Sequence, residues 1–182
     1  MTQAHPSGPG TLDWLPAIEH PELLAEPVSK ALALLDCGAE VLVAPIDPEL
    51  ADTAAFCARY GVELDVSANC VIVAGKRGGQ LIYAAAMVLA TTRLDVNGSV
   101  RTRLAARKAS FAPLDKAVEL TAMEYGGITP IGLPGWPILV DSQVARAGVV
   151  VIGSGMRRSK LAFDGALLAQ LPGAEVLEGL AG

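Results

Sequence analysis

The chain has 182 residues, 52% of them hydrophobic but only 4% aromatic, and a formal net charge of −5. That length suits one domain whose core is built from Ala, Val and Leu. The acidic balance excludes tight nucleic-acid binding by bulk charge and leaves room only for a local basic patch.

In chain order, residues 1–20 hold several Pro and Gly and read as a flexible lead-in, with Trp14 and Leu15 able to dock on a body spanning residues 21–182 as one domain. A helix is predicted from Pro21, with Leu24, Val28, Ala31 and Leu35 on one face and Gly38 as its stop. Residues 40–46 read as a strand. Pro48 then opens a second helix with Leu50, Ala54 and Cys57 inward, ending at Gly61. Residues 70–74 and 80–84 flank Gly75-Lys76-Arg77-Gly78-Gly79 as a hairpin. The apolar run 85–90 fits a buried strand or a helix equally well. Residues 95–106 read as a helix with Val100 and Leu104 inward, followed by a short segment at 109–111 and a helix over 113–123. Strands are predicted at 137–140, ending at Asp141, at 148–152 and at 160–163. Asp164 caps a last helix over 165–171, and residues 174–177 close the chain as a short strand. Strands and helices mix without strict alternation, which points to an α+β fold: a mixed sheet or irregular barrel wrapped by helices.

The stretch from Tyr125 to Pro134 carries the most chemical information. Gly126 and Gly127 permit positive φ and a close ligand approach, and Pro130 and Pro134 withhold N–H groups from any ladder. Such a loop presents bare amides to an anion or a developing oxyanion, or else it is a tight structural turn. There is no G-x-S-x-G elbow. The two histidines, His5 and His20, lie in the Pro-rich N-terminal stretch. Cys37, Cys57 and Cys70 form no C-x-x-C pair, so no zinc site is expected and the thiols read as reduced. No secretory leader is evident, and the run from Leu81 to Ala90 falls short of the roughly 20 residues a membrane span needs. A cytoplasmic protein without a membrane partner is expected.

The sequence Gly126-Gly127-Ile128-Thr129-Pro130-Ile131-Gly132, followed by Ile138-Leu139-Val140-Asp141, resembles the YbaK/EbsC family of aminoacyl-tRNA deacylases. The same domain serves as the editing insertion of prolyl-tRNA synthetases. A supporting match is the strand at 149–152 with Gly153-Ser154-Gly155 and the basic residues that follow. The resemblance, from about Pro21 onward, implies a mainly antiparallel, barrel-like sheet flanked by helices. It implies hydrolysis of the ester on a mischarged tRNA, with tRNA(Pro) the expected one, without metal or organic cofactor. The aminoacyl-tRNA 3′ end is the implied partner, and prolyl-tRNA synthetase a second one. It also implies that Gly126 and Gly127 act in catalysis, and that Thr129, Pro130, Asn69, Gly153, Ser154 and Gly155 bind substrate.

One departure stands out. The family carries a lysine where this sequence has Asn69, in Ser67-Ala68-Asn69-Cys70. An asparagine can hydrogen-bond but supplies no charge. Two readings therefore stand side by side: a trans-editing deacylase, and a module that binds an aminoacyl-adenosine or tRNA 3′ end without turnover. Arg101, Arg103, Arg107, Lys108, Arg157, Arg158 and Lys160 read as tRNA contacts or as an ordinary solvated face. Cys57 reads as core, Cys70 as a thiol beside the pocket, and Asp141 as a strand-end cap or a water-positioning group.

Overall fold

The computed structural model describes residues 7–182, so His5 and the first part of the expected lead-in lie outside the described residues. Two sheets form the framework. Strands β1 (Leu15–Pro16), β2 (Leu42–Pro45), β8 (Ser159–Asp164) and β7 (Val149–Gly153) make a four-stranded antiparallel sheet in the order β1-β2-β8-β7. Strands β5 (Lys108–Phe111), β3 (Ala68–Arg77), β4 (Gln80–Leu89), β6 (Ile138–Asp141) and β9 (Ala174–Leu177) make the second, in that order. Its β5-β3-β4 portion is antiparallel, and β6 joins β4 and β9 in parallel. A parallel bridge between Ser67 and Val151 links the two sheets at the start of β3, where the Val151 N–H donates to the Val66 carbonyl at 2.8 Å. The result is the mixed, mainly antiparallel sheet flanked by helices that the sequence led one to expect.

Side-chain alternation explains the core. Along β4, Ala85, Met87 and Leu89 face the main core with Val28, Leu32, Val43, Ile138 and Leu161. Ala84, Ala86 and Val88 face the opposite way, against Val100, Leu104 and Leu180. A strand buried on both faces reads as a continuous apolar run, which is why residues 85–90 lacked a period. The hairpin turns at Gly78 and Gly79, both at positive φ, and pairs Arg77 with Gln80.

A third cluster covers the outer face of the four-stranded sheet: Trp14, Ile46, Phe56, Cys57 and Val62 pack on Ala44, Val151 and Ala162. Trp14 is only 2% exposed, and its indole N–H donates to the Pro9 carbonyl at 3.0 Å. The expected lead-in is thus part of the body from Trp14 onward, because the outer sheet face needs an aromatic cover.

Several helices are shorter than expected. Pro21 opens a 3-10 turn (Pro21–Leu23); Leu24 is extended, and α1 spans Glu26–Leu34 with Val28 and Leu32 buried. The helix expected from Pro48 splits into a 3-10 turn (Pro48–Leu50) and α2 (Thr53–Tyr60), because Asp52 is extended. Phe56 and Cys57 are buried on α2 while Ala54 is exposed, so the inner face is rotated from the expected one. Gly61, at φ 65°, ends α2. Residues 95–106 form a π turn (Val96–Val100) and one α turn, α3 (Arg101–Arg103), with Val100 and Leu104 buried. The Asp95 carboxylate accepts from the Gly98 and Ser99 N–H groups, tightening that start. Helix α4 spans Leu114–Thr121, and α5 (Ser142–Arg146), which the sequence reading missed, is a five-residue helix capped by Asp141. The segment after Asp164 is a 3-10 stretch, Gly165–Gln170.

Candidate functional site

A half-open cleft of about 370 Å³ lies where the two sheets meet. One wall is the start of β3, with Ser67, Asn69, Cys70 and Val71; the other is the end of β7 with Gly153, and Lys160 of β8. Asp52 and Thr53 reach it because the chain breaks between the 3-10 turn and α2. Tyr125, Gly126 and Ile128 bring the glycine loop to it, and Phe111 and Leu114 line it from β5 and α4.

Gly126 sits at φ 79°, and a Cβ there would lie 2.6 Å from Arg157 Nη1. Only glycine takes this conformation without strain. Its N–H is bonded to no protein acceptor among the described residues. Arg157 braces the loop: Nη1 donates to the Tyr125 carbonyl at 3.1 Å, Nη2 to the Pro48 carbonyl at 3.0 Å, and the guanidinium lies 5.6 Å from the Tyr125 ring centroid. Tyr125 (54% exposed) and Phe111 (61% exposed) leave two aromatic faces open at the cleft.

Asn69 does line the cleft, but its Oδ1 accepts from Thr53 Oγ1 at 2.8 Å, so the amide is held in place. Gly153 lines it as well. The remaining expected site residues stand behind the wall. The Gly127 N–H donates to the Glu124 carbonyl at 3.0 Å, and its carbonyl accepts from the Gly155 N–H at 2.7 Å. Its amide is therefore spent on the loop, and a Cβ would meet the Met156 backbone at 2.6 Å. Thr129 is fully buried with its hydroxyl unpartnered, and Pro130 faces a separate apolar groove with Leu34, Leu133 and Trp136. Ser154 is buried and bonds Ser159 Oγ at 2.7 Å; Gly155, at φ 87°, packs under Ala25. These residues shape the loop and do not face the cleft. The physical reason is that the two glycine-rich turns pack backbone against backbone, with the Gly155 N–H on the Gly127 carbonyl and the Glu124 N–H on the Gly155 carbonyl, which turns these residues away from the cleft.

Lys160 is the residue whose place the sequence reading misjudged. Arg158 is exposed, but Lys160 is only 8% exposed, on the face of β8 that also carries Ala162 of the third cluster. Nζ donates to the Ala51 carbonyl at 3.0 Å and lies 5.1 Å from the Phe56 ring centroid. Burial pulls its pKa down to about 8. A lysine leading directly into the apolar run Leu161-Ala162-Phe163 of a strand was the available signal. The basic residues 101–108 are elsewhere: Lys108 pairs with Lys76 toward the hairpin end, and Arg103 is bound to Glu175.

Cys70 lines the cleft, yet burial pushes its thiol pKa upward, which holds it in the protonated, unreactive form. Cys57 is buried core with a raised thiol pKa, again from burial first. Asp141 is buried, and its two carboxylate oxygens accept from the Gln143 and Ala181 N–H groups at 2.8 Å each. That is a structural clamp. Among the described residues no helix is long and apolar enough to cross a membrane.

The model of a family described as the aminoacyl-tRNA editing domain matches residues 47–171, a span that contains every wall of the cleft. Among solved structures, a candidate trans-editing enzyme for prolyl tRNA synthetase superposes with a TM-score of 0.72 at 21% identity, covering 85% of this chain and 94% of that one. The hypothetical protein APE2540 gives a TM-score of 0.75 at 23% identity, covering 86% and 100%. A signal-transduction candidate from Marinobacter aquaeolei VT8 gives 0.58 at 18%, covering 85% of this chain and 30% of that longer one. At such identities the likeness is one of fold. No curated protein matches the chain in sequence. The family match extends over more than half of the sequence and includes the glycine loop, and on that ground the chain belongs to the aminoacyl-tRNA editing domain family.

Proposed function

We propose that this protein is an aminoacyl-tRNA deacylase acting in trans, in the cytoplasm, on a mischarged tRNA, with tRNA(Pro) as the expected acceptor. The observation that carries this is the cleft itself: a glycine at positive φ with an uncommitted N–H, bordered by two exposed aromatic faces. The aromatic faces suit stacking of the terminal adenine, which is worth about 1–3 kcal/mol per base. The Gly126 N–H suits the ester carbonyl. Water attacks the carbonyl carbon, the carbonyl electrons move onto oxygen, and collapse breaks the bond to the ribose oxygen. That oxygen leaves with the proton of the attacking water, so amino acid and tRNA are the products. The family relationship and the shared fold support this reading.

Binding without turnover is the second reading, and the observation that favours it is Asn69, uncharged and tied to Thr53. A deacylation time course separates the two. The panel is alanyl-, cysteinyl- and seryl-tRNA(Pro), run with the wild type, Gly126→Ala and a no-enzyme blank. The deacylase reading expects enzyme-dependent loss of one ester, slowed at least tenfold by the substitution, since Ala must displace Arg157 and adopt positive φ. A flat panel from folded protein, with retained binding of a stable aminoacyl-adenosine amide, leaves the binding module as the function.

A further inference from the structure

Lys160 presents an ammonium group almost entirely removed from water, with no carboxylate within 4.0 Å among the described residues. Of its three N–H donors, one is used by the Ala51 carbonyl, and no other hydrogen bond from Nζ forms among the described residues. A buried charge is ordinarily paired, because leaving it unpaired is costly. If Lys160 served only to hold Ala51, a neutral side chain would hold it without that cost. The lysine stands opposite Gly153 in the β7–β8 register, and both line the cleft that Gly126 enters. Opposite residues share a sheet face. A Cβ at Gly153 would collide with the Gly127 carbonyl oxygen, so the missing side chain is what lets the glycine loop close against the strand end opposite Lys160.

We propose that Lys160 is the cationic ligand of the cleft, donating from Nζ to the carbonyl oxygen of the bound aminoacyl ester and to the oxyanion formed from it. The assignment rests on the deacylase reading for its second half only. No proton leaves Nζ: the lysine donates a hydrogen bond while the carbonyl electrons move onto oxygen and return on collapse. It thereby supplies the charge that Asn69 does not. The Phe56 ring beneath the ammonium favours the charged form. The titratable and charged groups around the site are Asp52 and Cys57 from the α2 segment, Cys70 from β3, Tyr125 from the glycine loop and Arg157. Asp52 favours the charged lysine, Cys57 does so only once ionised, and Arg157 opposes it. With a pKa of about 8, the lysine is mostly charged at neutral pH.

The test compares the wild type with Lys160→Met and Lys160→Arg from pH 6.5 to 9.5, with blank hydrolysis subtracted. It reads kcat, KM, the Kd for a 3′-aminoacylamino-3′-deoxyadenosine, and the thermal midpoint. Met should fold with a midpoint at or above that of the wild type. Its kcat should fall about 100-fold, its KM should rise far less, and amide binding should weaken about tenfold. Arg should recover part of the kcat. Wild-type kcat should be flat below pH 8 and decline above it, as the ammonium is lost. A Met variant with wild-type kcat and Kd overturns the proposal, as does a wild-type kcat that rises through pH 8, the mark of a neutral base. If no ester is hydrolysed by the wild type, the deacylase reading fails on its own, and amide binding decides the rest. Tenfold weaker binding by the Met variant upholds Lys160 as the carbonyl ligand; equal binding, or none by either protein, overturns it.

Discussion

At the residue scale, Lys160 ties function to stability through one titration. Its proton is held less tightly in the folded chain, about 8, than at the ordinary lysine value of 10.5. Below pH 8 both folded and unfolded chains carry the charge, and folding bears the whole desolvation cost, about 3 kcal/mol. Between pH 8 and 10.5 the folded protein releases the proton first and that cost disappears. Cys57 and Cys70 act in the opposite sense, since their raised thiol pKa values keep protons that the unfolded chain loses near pH 9. Comparing the wild type with Lys160→Met cancels the cysteines. Denaturant titrations should show the Met variant more stable below pH 8, with the advantage shrinking steadily toward pH 10. An advantage independent of pH would mean that the lysine carries no buried charge. An activity lost together with a stability gained is the signature of a site residue retained against the fold's interest.

At the scale of elements, the two glycine-rich turns behave as one unit. The Gly155 N–H donates to the Gly127 carbonyl and the Glu124 N–H to the Gly155 carbonyl, holding the turns together, while the Gly127 N–H and the Ser154 hydroxyl are spent within their own segments. The Arg157 N–H adds a bond to the Glu124 carboxylate at 2.6 Å. Gly127→Ala places a methyl group against the Met156 backbone, which cannot swing away as a side chain would. The expected loss is about 2–3 kcal/mol of unfolding free energy, read as a drop of several degrees in thermal midpoint. Gly126→Ala strains φ and meets only the end of a flexible arginine, so its stability loss should be smaller while its loss of activity is larger. A reversed ranking in melting curves would show that Gly127 faces open space. Asn69, Gly126 and Gly153 reach the cleft from three different elements, and none is within hydrogen-bonding distance of a histidine among the described residues.

At the scale of the whole molecule, one core joins both sheets. Val43 and Leu161 of the four-stranded sheet and Ala85, Met87 and Ile138 of the five-stranded sheet belong to the same buried cluster. The chain should therefore unfold in a single transition. Trp14 closes the outer face of the smaller sheet over Phe56, which in turn lies beneath Lys160. Trp14→Ala should cost about 3–5 kcal/mol through the cavity it leaves, and should lower substrate binding as the Phe56 support loosens. A two-step melt, or an unchanged midpoint, would show that the N-terminal segment is a loose appendage. Pro130 lines the apolar groove with Leu34, Leu133 and Trp136 and does not line the cleft, despite its place in the motif.

Local chemistry made most elements legible in the sequence. Glycine pairs placed the hairpin turn and the loop at 126–127, and Gly61 ended α2. Short-range geometry depends on residues near in the chain, so these features were visible without a fold. The strand identity of residues 85–89, the break before α2, and the side of each turn that faces the cleft were decided by tertiary structure. A run buried on both faces has no period, and the Gly155 and Arg157 N–H groups are spent on the Gly127 carbonyl and the Glu124 carboxylate, roughly thirty residues away in sequence. For Lys160 the decisive contacts are with Ala51 and Phe56, about a hundred residues earlier, and only the packing of α2 on β8 turned a surface-type residue into a buried cation.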